Sequence, residues 1–200
     1  MGTDARAALL LSGGIESTTL LYALSNLRGA LFVDYGQRGA RQERLAASRH
    51  AVVRGVPLTI LRAAAVGKQM NQIRGLQYHV PFPQRNLWLI ALAINWAVAS
   101  HVNRLYIGWN AEDARADASA SAPCLAAWQQ LSLGQVAIEA PLLHLAKAAV
   151  VAHGRSLGLD YADTYSCLRG RLRPCGRCPQ CRARTAAVAI AGAEGYGIAL

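Results

Sequence analysis

Short apolar runs alternate along this chain with longer stretches of helical character, and that alternation restricts the fold more than any other feature of the sequence. Ala7–Leu11, Ala30–Val33, Pro57–Leu61, Arg104–Gly108 and a segment near Gln135–Glu139 read as strands. Between and after them Ser17–Ser25, Gln42–Arg54, Arg85–Ser100, Cys124–Leu131, Lys147–Leu157 and Cys178 to about Gly192 read as helices, with Gly158 in a C-cap position. On Gln42–Arg54 the residues Leu45, Arg49, Val52 and Val53 have the spacing of a modest apolar helix face. Ala64–Tyr78 reads as a loop with short helical turns, and Ala111–Pro123, rich in Ala, Ser and Asp, as a mobile surface loop. Strands separated by helices predict an α/β fold: a mostly parallel sheet covered by helices on both faces.

Length and composition fit that expectation. Two hundred residues predict one domain, 1–200, because domains run to about 150 residues. Apolar residues make up 53% and charged residues 16%, which excludes global disorder. No apolar run reaches the roughly 18 residues that a membrane span needs. Met1–Arg6 leads straight into a strand with no signal-peptide layout, so a soluble, cytoplasmic protein without membrane contact is expected.

Sheets of this kind bind ligands beyond the carboxyl ends of their strands. The first such turn reads Leu11-Ser12-Gly13-Gly14-Ile15-Glu16-Ser17-Thr18. Its glycines let backbone N–H groups approach a phosphate, Ser12, Ser17 and Thr18 add hydroxyls, and the following helix supplies the positive end of its dipole. On its own such a turn is also an ordinary tight connection between a strand and a helix.

Four of the five cysteines, Cys167, Cys175, Cys178 and Cys181, crowd the C-terminal part, whereas a secreted disulfide scaffold spreads an even set along its chain. Two-residue gaps let neighbouring sulfurs converge on one ion, and four soft ligands suit a closed, structural Zn²⁺ site within 165–185. An iron–sulfur cluster is the other occupant that such a set admits. Cys124 lies outside the set and reads as an ordinary small apolar residue. The net charge is +10, and Arg169, Arg171, Arg173, Arg177, Arg182 and Arg184 surround the sulfurs. Four thiolates on Zn²⁺ leave −2, which these guanidiniums offset, so the basicity is assigned to the metal lobe and to anionic ligands. The rival reading gives this lobe to nucleic-acid phosphates, and the scarcity of aromatics among the arginines argues against it.

The string Ser-Gly-Gly-x-(Asp/Glu)-Ser after an apolar strand resembles the PP-loop of ATP pyrophosphatases, with Glu16 where Asp is usual. Further segments resemble the 7-cyano-7-deazaguanine synthase (QueC) family in that family's order: Phe32-Val33-Asp34-Tyr35-Gly36-Gln37-Arg38, Pro83-Gln84-Arg85-Asn86, Ile107-Gly108-Trp109-Asn110-Ala111-Glu112-Asp113, Ala140 to Lys147, and Tyr165 to Gly170. The resemblance implies a Rossmann-like fold of the adenine nucleotide alpha hydrolase type with a small zinc lobe that braces the C-terminal segment. It implies ATP, Mg²⁺ and Zn²⁺ as cofactors and adenylation of 7-carboxy-7-deazaguanine, followed by ammonia attack to an amide and then the nitrile. Carried over by position, Leu11, Ser12, Gly13, Gly14, Glu16, Ser17, Thr18, Asp34, Tyr35 and Gly108 would bind ATP. Gln37, Arg38, Arg85, Asn86, Asn110 and Asp113 would bind the acid, with Glu16, Arg85 and Lys147 as the catalytic residues. A homodimer is expected, with the helix Asn86–Ser100 read as core.

The likeness fails at Ala114–Cys124, where the family has Tyr-Pro-Asp-Cys-Arg character, and at Gly39, where it usually has His. Both departures fall on the acceptor side. The expectation is that carboxylate activation persists while the second half-reaction has changed. Two further readings follow: conjugation of the activated acid to a protein N-terminus, as is thought for QueC-like members of anti-phage operons, and a non-catalytic nucleotide- or RNA-binding module.

Overall fold

A computed structural model describes residues 6–74 and 84–193. Its centre is a five-stranded sheet of β1 (Ala7–Leu10), β2 (Leu27–Asp34), β3 (Leu58–Arg62), β4 (Arg104–Ile107) and β5 (Ala137–Glu139) in the order β3-β2-β1-β4-β5. Every pairing is parallel. β1 is central and covered on both faces, which is why it is apolar without alternation: Leu9 joins Leu11, Phe32, Leu20 and Val150 on one face, while Ala8 joins Leu31, Val33, Ala93 and Ala97 on the other. The ladder runs one residue past the strand, from the Leu11 N–H to the Leu31 carbonyl at 2.8 Å. β3 begins after Pro57, which has no N–H to give but still accepts from the Ala30 N–H at 2.8 Å.

The helices are α1 (Ile15–Ala23), α2 (Ala40–Val53), α3 (Ala64–Arg74), α4 (Arg85–Ala99), α5 (Ala111–Ala116), α6 (Ala122–Leu131), α7 (Lys147–Ser156) and α8 (Pro179–Ala193). α1, α2, α7 and α8 cover one face of the sheet, and α4 covers the other together with Met70 of α3. The buried positions of α4, Ile90, Ala93 and Ala97, agree with its reading as core.

Three expectations are corrected. Within Ala64–Tyr78 the described part is the helix α3, built from good helix formers with few large apolar residues, and residues 75–78 lie outside the described part, as does Pro83. Ala111–Pro123 is not a mobile loop. Asn110 and Asp113 close a capping box on α5, Asp117 caps a short turn over Ala118–Ala120, and Ser121 caps α6. Ser119 and Ala120 of that segment are buried. On α2 the buried face is Ala46, Ala47, His50 and Ala51, whereas Val52 and Val53 are 81% and 70% exposed. Alanines fill the contact because α2 lies close against the turn after β1: a Cβ on Gly13 would stand 2.4 Å from the Glu43 carbonyl oxygen.

Strand order reverses between β1 and β4, which opens a crevice at their carboxyl ends. Gly108 ends β4 there without a side chain, and a Cβ on it would lie 2.8 Å from the Ser17 nitrogen.

Candidate active site and metal centre

The turn after β1 is held by its own hydroxyls and by a bond from the cysteine lobe. Gly13 takes φ +77°, which favours glycine, and its carbonyl accepts from the Tyr165 N–H at 2.8 Å. The Ser12 N–H donates to Ser17 Oγ at 3.2 Å, and the two hydroxyls are 3.0 Å apart. Gly14 caps α1 with no side-chain acceptor; its own N–H donates to Ser12 Oγ at 3.3 Å, and among the described residues no side chain caps the first turn of the helix. The Thr18 hydroxyl is buried nearby with no partner. An uncapped helix start beside a glycine turn suits an anion such as a polyphosphate.

Glu16 projects from the first turn of α1 into a polar cluster. Its Oε1 accepts from Lys147 Nζ and, at 2.8 Å, from Asn110 Nδ2. The Glu16 and Lys147 side chains are only 14% and 11% exposed, and Asn110 is fully buried. Glu112 fixes the start of α7 by accepting from the Lys147 N–H at 2.9 Å. Burial works to lower the Lys147 pKa, but the charges of Glu16, Asp113 and Glu112 outweigh it and raise it. Burial, helped by the charge of Glu16, raises the Asp113 carboxyl. Lys147 is therefore a firmly charged ammonium at the mouth of the crevice.

A second cluster lies at the end of β2. Arg85 Nε and Nη2 donate to Asn86 Oδ1 at 3.2 and 2.8 Å, and Asn86 Nδ2 donates to Asp117 Oδ2 at 3.3 Å and Ser119 Oγ at 3.0 Å. Arg85 also hydrogen-bonds Tyr35. Burial opposes its charge, yet Tyr35, Asp117 and Glu43 together raise its pKa. Among the described residues no carboxylate lies within 4.0 Å of this guanidinium. The charge of Arg85 also reaches Asp113, which links the two clusters electrostatically.

The remaining candidate residues fall in several environments. Asp34 Oδ1 accepts from the Gly36 N–H at 3.2 Å. Gln37 is buried and fully engaged: Oε1 accepts from the Tyr35 N–H at 3.0 Å, and Nε2 donates to the Val33 carbonyl at 3.3 Å and to Glu43 Oε2 at 2.9 Å. In this arrangement Gln37 braces the end of β2 and both of its Nε2 protons are already used. Arg38 is exposed. Sequence reasoning missed Glu43 and Ser119, and it met Asp117 only as a remnant of the family pattern lost over Ala114–Cys124. Glu43 shares the i, i+3, i+4 face of Ala46 and Ala47, and an acid on that face was the available signal.

The four cysteines gather as their spacing predicted. Their sulfurs all lie within 4.8 Å of one another. The Cys175 N–H points at Cys167 Sγ (3.3 Å), that of Cys178 at Cys175 Sγ (3.4 Å), and that of Cys181 at Cys178 Sγ (3.4 Å). The Arg177 amide, with that of Cys178, holds the Cys175 thiol well below the usual range, at about 6. Donors aimed at sulfur favour the thiolate that binds metal. Tyr165, Ala46 and three of the cysteines form one buried cluster, and Gly170 sits so close to Arg38 that a Cβ would stand 2.0 Å from its carbonyl oxygen. Arg184 braces the same lobe through the Thr164 hydroxyl at 2.6 Å, whereas Arg169, Arg171, Arg173, Arg177 and Arg182 are exposed. The lobe is thus anchored on both the phosphate turn and the loop after β2.

Comparison with known proteins agrees with this architecture. The family model described as queuosine biosynthesis protein QueC matches residues 6–192. The 7-cyano-7-deazaguanine synthase of Thiobacillus denitrificans is 32% identical, with 93% of this chain and 94% of that one aligned. The synthase of the same name from Anaeromyxobacter sp. is 37% identical over 94% of this chain and 93% of its own. Among solved structures, the U34-tRNA thiolase NcsA of Methanococcus maripaludis with its [4Fe-4S] cluster superposes with a TM-score of 0.57 at 19% identity, covering 84% of this chain and 62% of that one, which is a likeness of fold. With a family match across nearly the whole chain and the expected turn and cysteine cluster in place, the chain belongs to the QueC family of queuosine biosynthesis proteins.

Proposed function

We propose that this protein is an ATP-dependent, carbon–nitrogen bond-forming enzyme that adenylates the carboxylate of 7-carboxy-7-deazaguanine and then couples it to ammonia, giving the amide and, after a second activation, 7-cyano-7-deazaguanine. A carboxylate is a poor electrophile, and adenylation gives it a good leaving group. The protein's task is to gather charge on the departing pyrophosphate. The observation that carries this reading is the uncapped start of α1 at the phosphate turn, with a buried, charged Lys147 beside it. In this reading the amides of the turn and the Ser12, Ser17 and Thr18 hydroxyls hold the polyphosphate, and Lys147 neutralises it. Asp34, Tyr35 and Gly108 border the nucleotide. Arg85, fixed by Asn86 and without a carboxylate partner among the described residues, takes the substrate acid. Glu16, whose Oε1 already accepts from Lys147 and Asn110, would offer its second carboxylate oxygen to Mg²⁺, which would add charge neutralisation at the phosphates.

Zn²⁺ is the occupant assigned to the four cysteines. Sulfurs bound to one ion at about 2.3 Å stand roughly 3.8 Å apart; here Cys175 Sγ and Cys181 Sγ are 4.0 Å apart and all four lie within 4.8 Å of one another. Thiolates of a four-iron cluster each bind a different iron and sit farther apart. Metal analysis should therefore return one zinc per chain and no iron.

The test is exchange of labelled pyrophosphate into ATP. Exchange that depends on 7-carboxy-7-deazaguanine, with AMP and the nitrile appearing once ammonia is added, is the expected result. AMP with an acyl adduct on a protein would instead select conjugation, and no exchange with any acid would leave only a binding module.

A further inference from the structure

We propose that Glu43 is a further catalytic residue of this site, the base that receives the proton from the attacking amine; the inference rests on the adenylation reading above. In this step the amine nitrogen bonds to the acyl carbon, the bond from that carbon to the phosphate oxygen breaks, and AMP departs with the electron pair. The proton from nitrogen passes to Glu43 Oε1.

Glu43 is held at the junction where such a base is needed. Its backbone carbonyl packs against Gly13 of the phosphate turn, where a Cβ would come within 2.4 Å. Its side chain lies over Gly39, whose missing Cβ would stand 2.6 Å from Oε1. Gln37 orients the carboxylate by donating to Oε2 at 2.9 Å, and Gln37 is itself fixed by the backbone of Val33 and Tyr35. Among the described residues Oε1 has no donor, and no cation lies within 4.0 Å of either oxygen. A half-buried carboxylate with an unused oxygen still carries a desolvation cost, and the packing around it does not offset that cost.

The other acids near the crevice have different duties. Glu16 is bound by Lys147 and Asn110, Asp113 caps α5 beside that pair, and Asp117 caps the turn at Ser119 while accepting from Asn86. The groups that face Glu43 are Asp34 and Tyr35 at the end of β2, Arg85 of α4 and Tyr165 of the cysteine lobe. Burial raises the Glu43 pKa, the Gln37 hydrogen bond and Arg85 oppose it, and the charge of Asp34 adds to the rise. A base raised toward neutrality is the better proton acceptor near physiological pH.

The experiment separates the two half-reactions. Pyrophosphate exchange needs only adenylation, whereas ammonia-dependent AMP release needs the proton transfer. Glu43→Gln keeps an acceptor for Gln37 and should leave exchange nearly unchanged, while AMP release, followed at constant free ammonia so that protonation of the nucleophile drops out, falls by about 10²–10⁴-fold and loses its acidic limb. Gly39→Ala, whose backbone is ordinary helical, pushes the carboxylate aside and should give the same split with a smaller loss. Two outcomes overturn the assignment: AMP release and its acidic limb unchanged in Glu43→Gln, or exchange, release and melting temperature all falling together. Absence of exchange in the wild-type protein counts against the adenylation reading itself and is seen before any variant is made.

Discussion

An ammonium and a carboxylate that share a nearly dry site are worth more as a pair than as two groups. Lys147 and Glu16 are such a pair, at 11% and 14% side-chain exposure, with Asn110 as the additional donor to Glu16. Removing either member leaves a charge stranded, a loss of about 3–5 kcal/mol where burial is complete. Asp113 stands beside Lys147 and softens one half of that loss. Lys147→Met, which strands Glu16, is therefore expected to destabilise more than Glu16→Gln, and the double variant should recover most of the difference in urea melts. The sign of the pH effect follows from the raised Lys147 pKa. The stability it contributes is fully present below the ordinary lysine value of about 10.4 and is lost as pH climbs through the folded value, so the penalty of Lys147→Met should shrink only in alkali.

The approach of β4 to α1 is set by what Gly108 lacks. Gly108→Ala would bring a Cβ to 2.8 Å from the Ser17 nitrogen and 3.1 Å from the Glu16 carbonyl carbon, both backbone atoms that cannot swing away. Overpacking of this kind costs about 1–3 kcal/mol, and here the displaced element is the helix start proposed to receive the phosphates. The variant should lose both melting temperature and affinity for ATP, measured by calorimetry. Such contacts mark the boundary of what was legible. The parallel strands could be read because burial on both faces makes them plain apolar runs, and the glycine turn after β1 because its geometry is local. The face of α2 could not, because close approach to Gly13 selects Ala46 and Ala47 while Val52 and Val53 lie outside. α5 was hidden because side-chain caps at Asn110 and Asp113, not apolar periodicity, create it. Glu43, Asp117 and Ser119 acquire meaning only when α2, α4 and the α5–α6 connection meet.

At the scale of the whole molecule, the candidate site is a junction of otherwise separate parts. β1, β2 and β4 supply its floor, α1, α4 and α7 its charged groups, and the cysteine lobe reaches it through the bond from the Tyr165 N–H to the Gly13 carbonyl. A ligand that binds only the folded form stabilises by mass action, by about 2.7 kcal/mol at a concentration 100 times its Kd. For a chain of this length roughly 2–4 °C accompany each kcal/mol, so Mg·ATP at that excess should raise the melting temperature by roughly 5–11 °C. Stripping the metal with a chelator removes the constraint that holds Cys167 and, two residues earlier, Tyr165. The Gly13 carbonyl then loses its partner and the turn its fixed form. The stripped protein, still folded by circular dichroism, should show a smaller shift with Mg·ATP and recover the full one when Zn²⁺ is restored. An equal shift with and without metal would mean that the lobe and the phosphate turn act independently, and that the lobe serves stability alone.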